Sequence, residues 1–196
     1  MELRKTKGGI LEIGAYLTGE FGQSQELYTA RNEAKRGRGS PEAVERQILK
    51  DTKAIVDLQK AIGFSFVIDP MFSIFYLFEP FAKHVPNVRE GPQENWFSIN
   101  HFYRRPQIEG AIDTKAIGFT SKYLHLDTLP KDGTAMAVLP SPYTLLMLSD
   151  VKKGYQNRKS AIVDFAQLLQ EEAKNLVDKG IARIQFDEPA LVVRHS

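Results

Sequence analysis

The sequence predicts an α/β fold in which buried strands alternate with amphipathic helices, and two observations carry that reading. Apolar, β-branched segments recur at 64–69 ("FSFVID"), 135–139 ("AMAVL") and 181–187 ("IARIQFD"), with helix-period sequence between them. Residues that could do chemistry then fall just past these segments: Asp69, the turn after Leu139, and the adjacent pair Asp187 and Glu188. This is the placement expected of a (β/α)8 TIM-barrel type of fold, whose functional groups sit at the carboxyl ends of its strands. About five βα units are legible where a closed barrel has eight, so the expectation is an incomplete barrel. No linker or internal repeat divides the chain, and residues 1–196 read as a single partial domain.

Each element has its own signature. "GGILEIGAYLTG" (8–19) is apolar, β-branched and bounded by glycines, as a first strand would be. "SQELYTARNEAKRG" (24–37) reads as a helix with Ser24 as its N-cap and Gly37 just past its end. A second helix has Ser40 as N-cap, Pro41 at the first helical position and Glu42 at the positive end of the dipole. Its apolar positions are Val44, Ile48, Ile55, Leu58 and Ile62, and Gly63 supplies the stop. Between Met71 and Gly133 periodicity fails, because "MFSIFYLFEPFAKHV" is apolar throughout; "WFSINHFYRRPQI" reads as a strand approaching Pro106, with a helical or hairpin excursion near it. A helix over 160–179 with Ile162, Phe165, Leu169, Ala173, Leu176 and Val177 on one stripe leads to the last strand, "IARIQFDEP".

Composition narrows the function. Hydrophobic content of 42% and charged content of 26% suit a globular protein, and the net charge is only +2. That balance argues against nucleic acid as the main partner. The basic run "AKRGRG" reads as cations at a helix end. There is no cysteine, so neither a disulfide framework nor a thiolate-ligated metal is available from these residues. No apolar run approaches the roughly 20 residues that span a bilayer, and the N-terminus lacks the pattern of a signal peptide. A cytoplasmic location is the expectation.

Asp187 and Glu188 are the first candidates for chemistry. Alternation along a strand sends one toward the barrel interior and the other toward the helix layer. Carboxylates at such a rim can bind an ammonium group, ligate a metal or act as acid and base; capping a helix is the purely structural alternative. His101 is the one histidine whose setting, an aromatic strand beside Asn100, suggests a role; His84, His125 and His195 show no ligand spacing. The aromatic cluster around Trp96 is either core or a stacking surface for a flat ring, with Asn100 bonding the ring's edge. Neither a nucleophile elbow nor a dinucleotide fingerprint is present.

Several segments together resemble the cobalamin-independent methionine synthase family, in the family's order and over nearly the whole chain. "IQFDEPAL" resembles its IQ-(I/V)-DEPAL strand, "AVLPSPYTLLMLS" its GPVT strand and turn with Ser141 in place of glycine, and "LQKAIGFSFV" its helix-to-strand passage. "LEIGAY" resembles the opening strand. "WFSINHFYRRPQ" and "DPMFSIFY" are most similar to the N-terminal of the family's two barrels. The resemblance implies that Asp187, supported by Glu188, holds the amino group of homocysteine. It also matches the family's Ile-Gly-Ser homocysteine contact to Ile13, Gly14 and Ala15, without the serine hydroxyl. The family's Gly-Glu contact is replaced by Asp69-Pro70, its folate-contacting Arg-Glu-Leu-Lys is only partly kept at 25–28, and the lysine before its Trp-Phe is Asn95.

By resemblance the family binds zinc through histidine, cysteine and glutamate residues that lie beyond its DEPAL strand, and these ligands are absent here. The implied function is therefore methyl transfer from a folate or corrinoid donor to homocysteine, carried out with a zinc-bearing barrel supplied elsewhere. The chain itself is expected to be truncated or one piece of a split enzyme, without zinc and inactive alone. Two other readings stay open: a non-catalytic binding or scaffold module of the same fold, and a barrel hydrolase using Asp187 and Glu188. Partners would be a small molecule, homocysteine or folate-like, with no nucleic acid and no membrane. An incomplete barrel would also expose apolar surface, so self-association or a complementary catalytic barrel chain is expected.

Overall fold

The computed structural model describes residues 4–5, 11–12, 14–19, 21–96 and 102–193. They form a mixed α/β fold of eight strands and six helices among the described residues. The chain divides into two compact units: 1–73, 125–137 and 180–183 form one, and 74–124, 138–179 and 184–196 the other.

The first unit is built on β1 (Arg4–Lys5), β2 (Leu11–Glu12), α1 (Gln25–Lys35), α2 (Pro41–Ile62) and β3 (Val67–Ile68). The Ser24 hydroxyl accepts from Leu27 N–H at 3.0 Å and donates to Asp51 at 2.6 Å, so one side chain caps α1 and ties it to α2. Ser40 caps α2 in the same way, Pro41 opens it, and Gly63 ends it at φ 80°, a conformation that favours glycine. Leu27, Ile48 and Phe72 form a buried cluster, with Val44 and Ile55 packed against it. The buried face of α2 is Ile48, Thr52, Val56 and Gln59. Leu58 and Ile62, expected on that face, are half exposed. The reason is Gln59, a polar residue that turns inward because its amide has a task there: it donates to Ile68 O at 2.9 Å and accepts from Ile68 N–H at 3.0 Å.

β3 pairs in parallel with β6 (Ala135–Pro140), through Val67 with Ala135 and Ile68 with Met136. β6 is buried along its whole length. The hydrogen-bonded strand order is β3-β6-β8, where β8 is Arg183–Asp187. Both β6 and β8 run from the first unit into the second, and they stay joined in each. Ala182 N–H donates to Ala135 O at 3.0 Å in the first unit, and Ser141 N–H to Asp187 O at 2.9 Å in the second.

The second unit adds α3 (Glu79–His84), an antiparallel hairpin of β4 (Val88–Asn95) and β5 (Phe102–Ile108), α4 (Pro142–Met147), β7 (Asp150–Val151), α5 (Ser160–Asp178) and α6 (Ala190–Val193). β7 joins β5 in parallel, giving a mixed sheet in the order β4-β5-β7. The buried face of α5 is Ala161, Phe165, Leu168, Leu169, Glu172 and Leu176. Glu172 is fully buried and accepts from the N–H groups of Gly118, Phe119 and Thr120 and from the Thr120 hydroxyl, so its charge is held by a turn of backbone donors. Val177, expected on this stripe, lies outside it and is half exposed.

Three expectations are corrected. The opening segment does not join a parallel sheet among the described residues; β2 pairs antiparallel with β1. β4 was not anticipated, since Gly91 and Pro92 interrupt a segment whose other members are largely polar. Where about five βα units are expected, the sheet of parallel strands among the described residues is β3-β6-β8; β5 and β7 also pair in parallel, inside the mixed hairpin sheet.

Candidate functional site

Asp187 is the last residue of β8, and Glu188 follows it. Ser141, just past β6, donates its N–H to Asp187 O, while its hydroxyl caps α4 by accepting from Thr144 N–H. The Pro140-Ser141-Pro142 turn thus fixes the end of β8 to the start of α4.

The two carboxylates are held differently. Glu188 accepts from the Thr144 hydroxyl, and the same hydroxyl oxygen accepts from Ala190 N–H at 3.2 Å. Thr144 is fully buried, so Glu188 is an anchor between α4 and α6. Among the described residues Asp187 instead takes one hydrogen bond, from Gln185 Nε2 at 2.6 Å. Burial pushes the Asp187 carboxyl above the usual aspartate range, and the Gln185 contact opposes that push. A desolvated carboxylate with little compensation is well suited to an ammonium group, whose charge would replace the water it lost.

Among the other candidates, Trp96 is half buried and stacks on Phe78 at 5.5 Å, with Tyr103 edge-on at 5.6 Å. Phe78 and Tyr103 are themselves core residues, so Trp96 extends a packed aromatic cluster. Gly14 and Ala15 belong to the first unit. Ala15 O accepts from Ser65 N–H at 2.8 Å, and a Cβ on Gly14 would come within 2.7 Å of the Ser65 hydroxyl, so the two segments approach closely there. Asp187, Glu188 and Trp96 belong to the second unit. Ile13, Asn100 and His101 lie outside the described residues.

One pairing escaped the sequence reading. Asp69, nearly fully buried, accepts from Met71 N–H and His125 N–H, both at 2.7 Å, and His125 Nδ1 lies 3.4 Å from it. The two residues are far apart in sequence, and His125 sits in a polar stretch without ligand spacing. The basic run near Arg36 is also accounted for: Arg38 makes a two-pronged contact with Glu33 at 2.7 and 2.8 Å.

Zinc chemistry of the kind implied by the resemblance needs thiolate, imidazole and carboxylate donors in one place. The chain has no cysteine, and among the described residues no group of three or more His, Cys, Asp or Glu side chains converges. These residues do not fit that metal.

The family model described as "Cobalamin-independent synthase, Catalytic domain" matches residues 15–194. A methionine synthase from Saccharolobus solfataricus is 28% identical over 117 residues, covering 59% of this chain and 34% of that protein. A 5-methyltetrahydropteroyltriglutamate–homocysteine methyltransferase from Thermotoga maritima is 27% identical over 174 residues, covering 88% of this chain and 23% of that protein. The solved structure of a B12-independent methionine synthase from a Shewanella species, in complex with selenomethionine, has a TM-score of 0.61 at 23% identity. It covers 78% of this chain and 45% of that one, a likeness of fold. This chain spans 34% and 23% of the lengths of the two curated relatives. The matching description is that of the catalytic domain, whereas the Trp96-Phe97 and Asp69–Tyr76 segments resemble the N-terminal barrel. The match over residues 15–194 places the chain in the cobalamin-independent methionine synthase family.

Proposed function

We propose that this chain forms part of a homocysteine-binding site in a homocysteine methyltransferase, with Asp187 receiving the substrate's ammonium group. The observation that carries the reading is the division of labour at the end of β8, where Glu188 is engaged by Thr144 while Asp187 is desolvated and lightly bonded. Anchoring Glu188 holds the backbone that presents Asp187, and an ammonium ion meeting a partly buried carboxylate forms a strong charge-assisted hydrogen bond. Gly14 and Ala15 correspond by resemblance to a homocysteine contact of the family, and Trp96 extends the aromatic cluster of Phe78 and Tyr103.

Residues 1–196 read as one partial (β/α)8 barrel, a reading supported by the parallel β3-β6-β8 sheet and the fold likeness to the Shewanella structure. Zinc, when bound in such an enzyme, activates a thiol by stabilising its thiolate. Here its ligands would come from a complementary, zinc-bearing chain, and methyl transfer from a folate or corrinoid donor would need both. The absence of cysteine also favours a second reading, a non-catalytic amino-acid-binding module of the same fold. The hydrolase reading loses support, because Glu188 is committed to Thr144.

Isothermal titration with homocysteine and with its des-amino analogue tests the proposal. Preference for homocysteine supports it; equal binding of the two overturns it.

A further inference from the structure

The face of β8 that carries Asp187 also carries Gln185, because side chains two apart on a strand project to the same side, about 7 Å apart. A glutamine spans that distance, and Gln185 Nε2 donates to Asp187 Oδ1 at 2.6 Å. Burial pushes this carboxyl toward its protonated form, and the amide contact opposes the push. Among the described residues no cation pairs with Asp187. The elements that meet this end of β8 bring none either. β6 and α6 are built from apolar residues, and α4 contributes Tyr143 as its one titratable group. Glu188, the neighbouring acid, is engaged by Thr144. Asp187 thus stands in an uncharged setting with an uncharged donor.

We propose that Gln185 is the positioning residue of this site: its amide fixes one oxygen of the Asp187 carboxylate and leaves the other for the substrate's ammonium group. This role of Gln185 rests on the reading of Asp187 as the ammonium acceptor. The residue type selects it. A lysine or arginine at 185 would hold the carboxylate more strongly but would cancel its charge, leaving nothing for an incoming cation. A glutamate would repel it and drive one of the two acids to keep a proton. A methionine would leave burial unopposed, and a protonated Asp187 is a poor acceptor for ammonium. An amide N–H favours the charged form while the net charge stays in place, as a site for a cation requires.

The pH dependence of homocysteine binding tests this, measured by isothermal titration on the purified parent chain and on Gln185→Met, with the des-amino analogue as control. Homocysteine keeps its ammonium form from mildly acidic to neutral pH, so the acid limb of binding reports Asp187. Gln185→Met keeps the volume and removes the donor, which moves that limb to higher pH. Its affinity falls roughly tenfold under mildly acidic conditions and approaches the parent's near neutral pH. Gln185→Glu moves the limb in the same direction. The carboxyl carbon resonance of Asp187, assigned by its loss in Asp187→Asn, titrates at higher pH in Gln185→Met without any ligand. In the parent, the Gln185 side-chain amide resonances move in step with that titration, a readout that needs no variant at 185 to fold. An equal loss of affinity at every pH, a carboxyl titration unchanged by Gln185→Met, or amide resonances indifferent to Asp187 overturns the proposal. Failure of the ammonium reading looks different: the parent binds homocysteine and its analogue alike, while Gln185→Met still moves the carboxyl titration.

Discussion

The Thr144 hydroxyl donates to the Glu188 carboxylate and accepts from Ala190 N–H. A fully buried side chain on α4 thereby fixes the turn that follows β8 and separates the roles of two adjacent acids. Replacing Thr144 with valine keeps the shape and removes the bonding, leaving Ala190 N–H and one carboxylate oxygen without their buried partner. Thr144→Val is expected to destabilise the chain by about 2 kcal/mol, measured by urea unfolding. A loss near zero would mean that Glu188 has no anchoring role.

Asp187 makes stability depend on pH in a direction opposite to a salt-bridged carboxylate. Its folded-state pKa is raised by burial, so the folded chain still holds a proton in a range where the unfolded chain has released it. Stability falls as pH rises through that window and then levels off. Asp187→Asn removes the desolvated charge. The variant's melting midpoint should exceed the parent's at neutral pH, and the two should converge below the ordinary aspartate range. A variant less stable than the parent at neutral pH would contradict the assignment.

Gln59 contributes differently, by standing in for a neighbouring strand. Its amide donates to and accepts from Ile68, occupying both backbone groups of a buried residue. Gln59→Leu fills similar volume but strands a buried N–H and a buried C=O, at an expected cost of about 3 kcal/mol. Hydrogen exchange at Ile68 should quicken by more than at α5 amides. Uniform quickening would place the effect elsewhere.

How much of this was legible beforehand follows local physics. Helix caps were read correctly at Ser24, Ser40 and Gly63, because each acts on donors or carbonyls a few residues away. Strand ends at Asp69 and Asp187 were likewise visible as apolar runs stopping at an acid. The inward turn of Gln59 and the outward turn of Val177 are not visible from hydrophobic periodicity, which assigns faces by apolarity and cannot foresee a glutamine bonded to a strand. β4 escaped because an exposed hairpin needs little apolar pattern, and Gly91-Pro92 reads as a loop. The Asp69–His125 and Thr144–Glu188 contacts span 56 and 44 residues, distances at which no spacing rule operates. At the site, Asp187 and Glu188 stand together in the sequence, but only the fold tells the anchor from the carboxylate held by Gln185 alone among the described residues.

The donor set also makes a prediction about metal. The purified chain should carry no stoichiometric zinc by elemental analysis and should form no methionine from homocysteine and a methyl donor. Stoichiometric zinc, or methionine formed by the chain alone, would require a ligand set other than the one implied by the family.

The central claim is that Asp187 binds a substrate ammonium group, and the most direct measurement is the homocysteine affinity of Asp187→Asn against the parent chain. Loss of one charge-assisted hydrogen bond predicts weakening of roughly tenfold or more. The des-amino analogue should bind both proteins alike. Equal homocysteine affinity in the two would contradict the account.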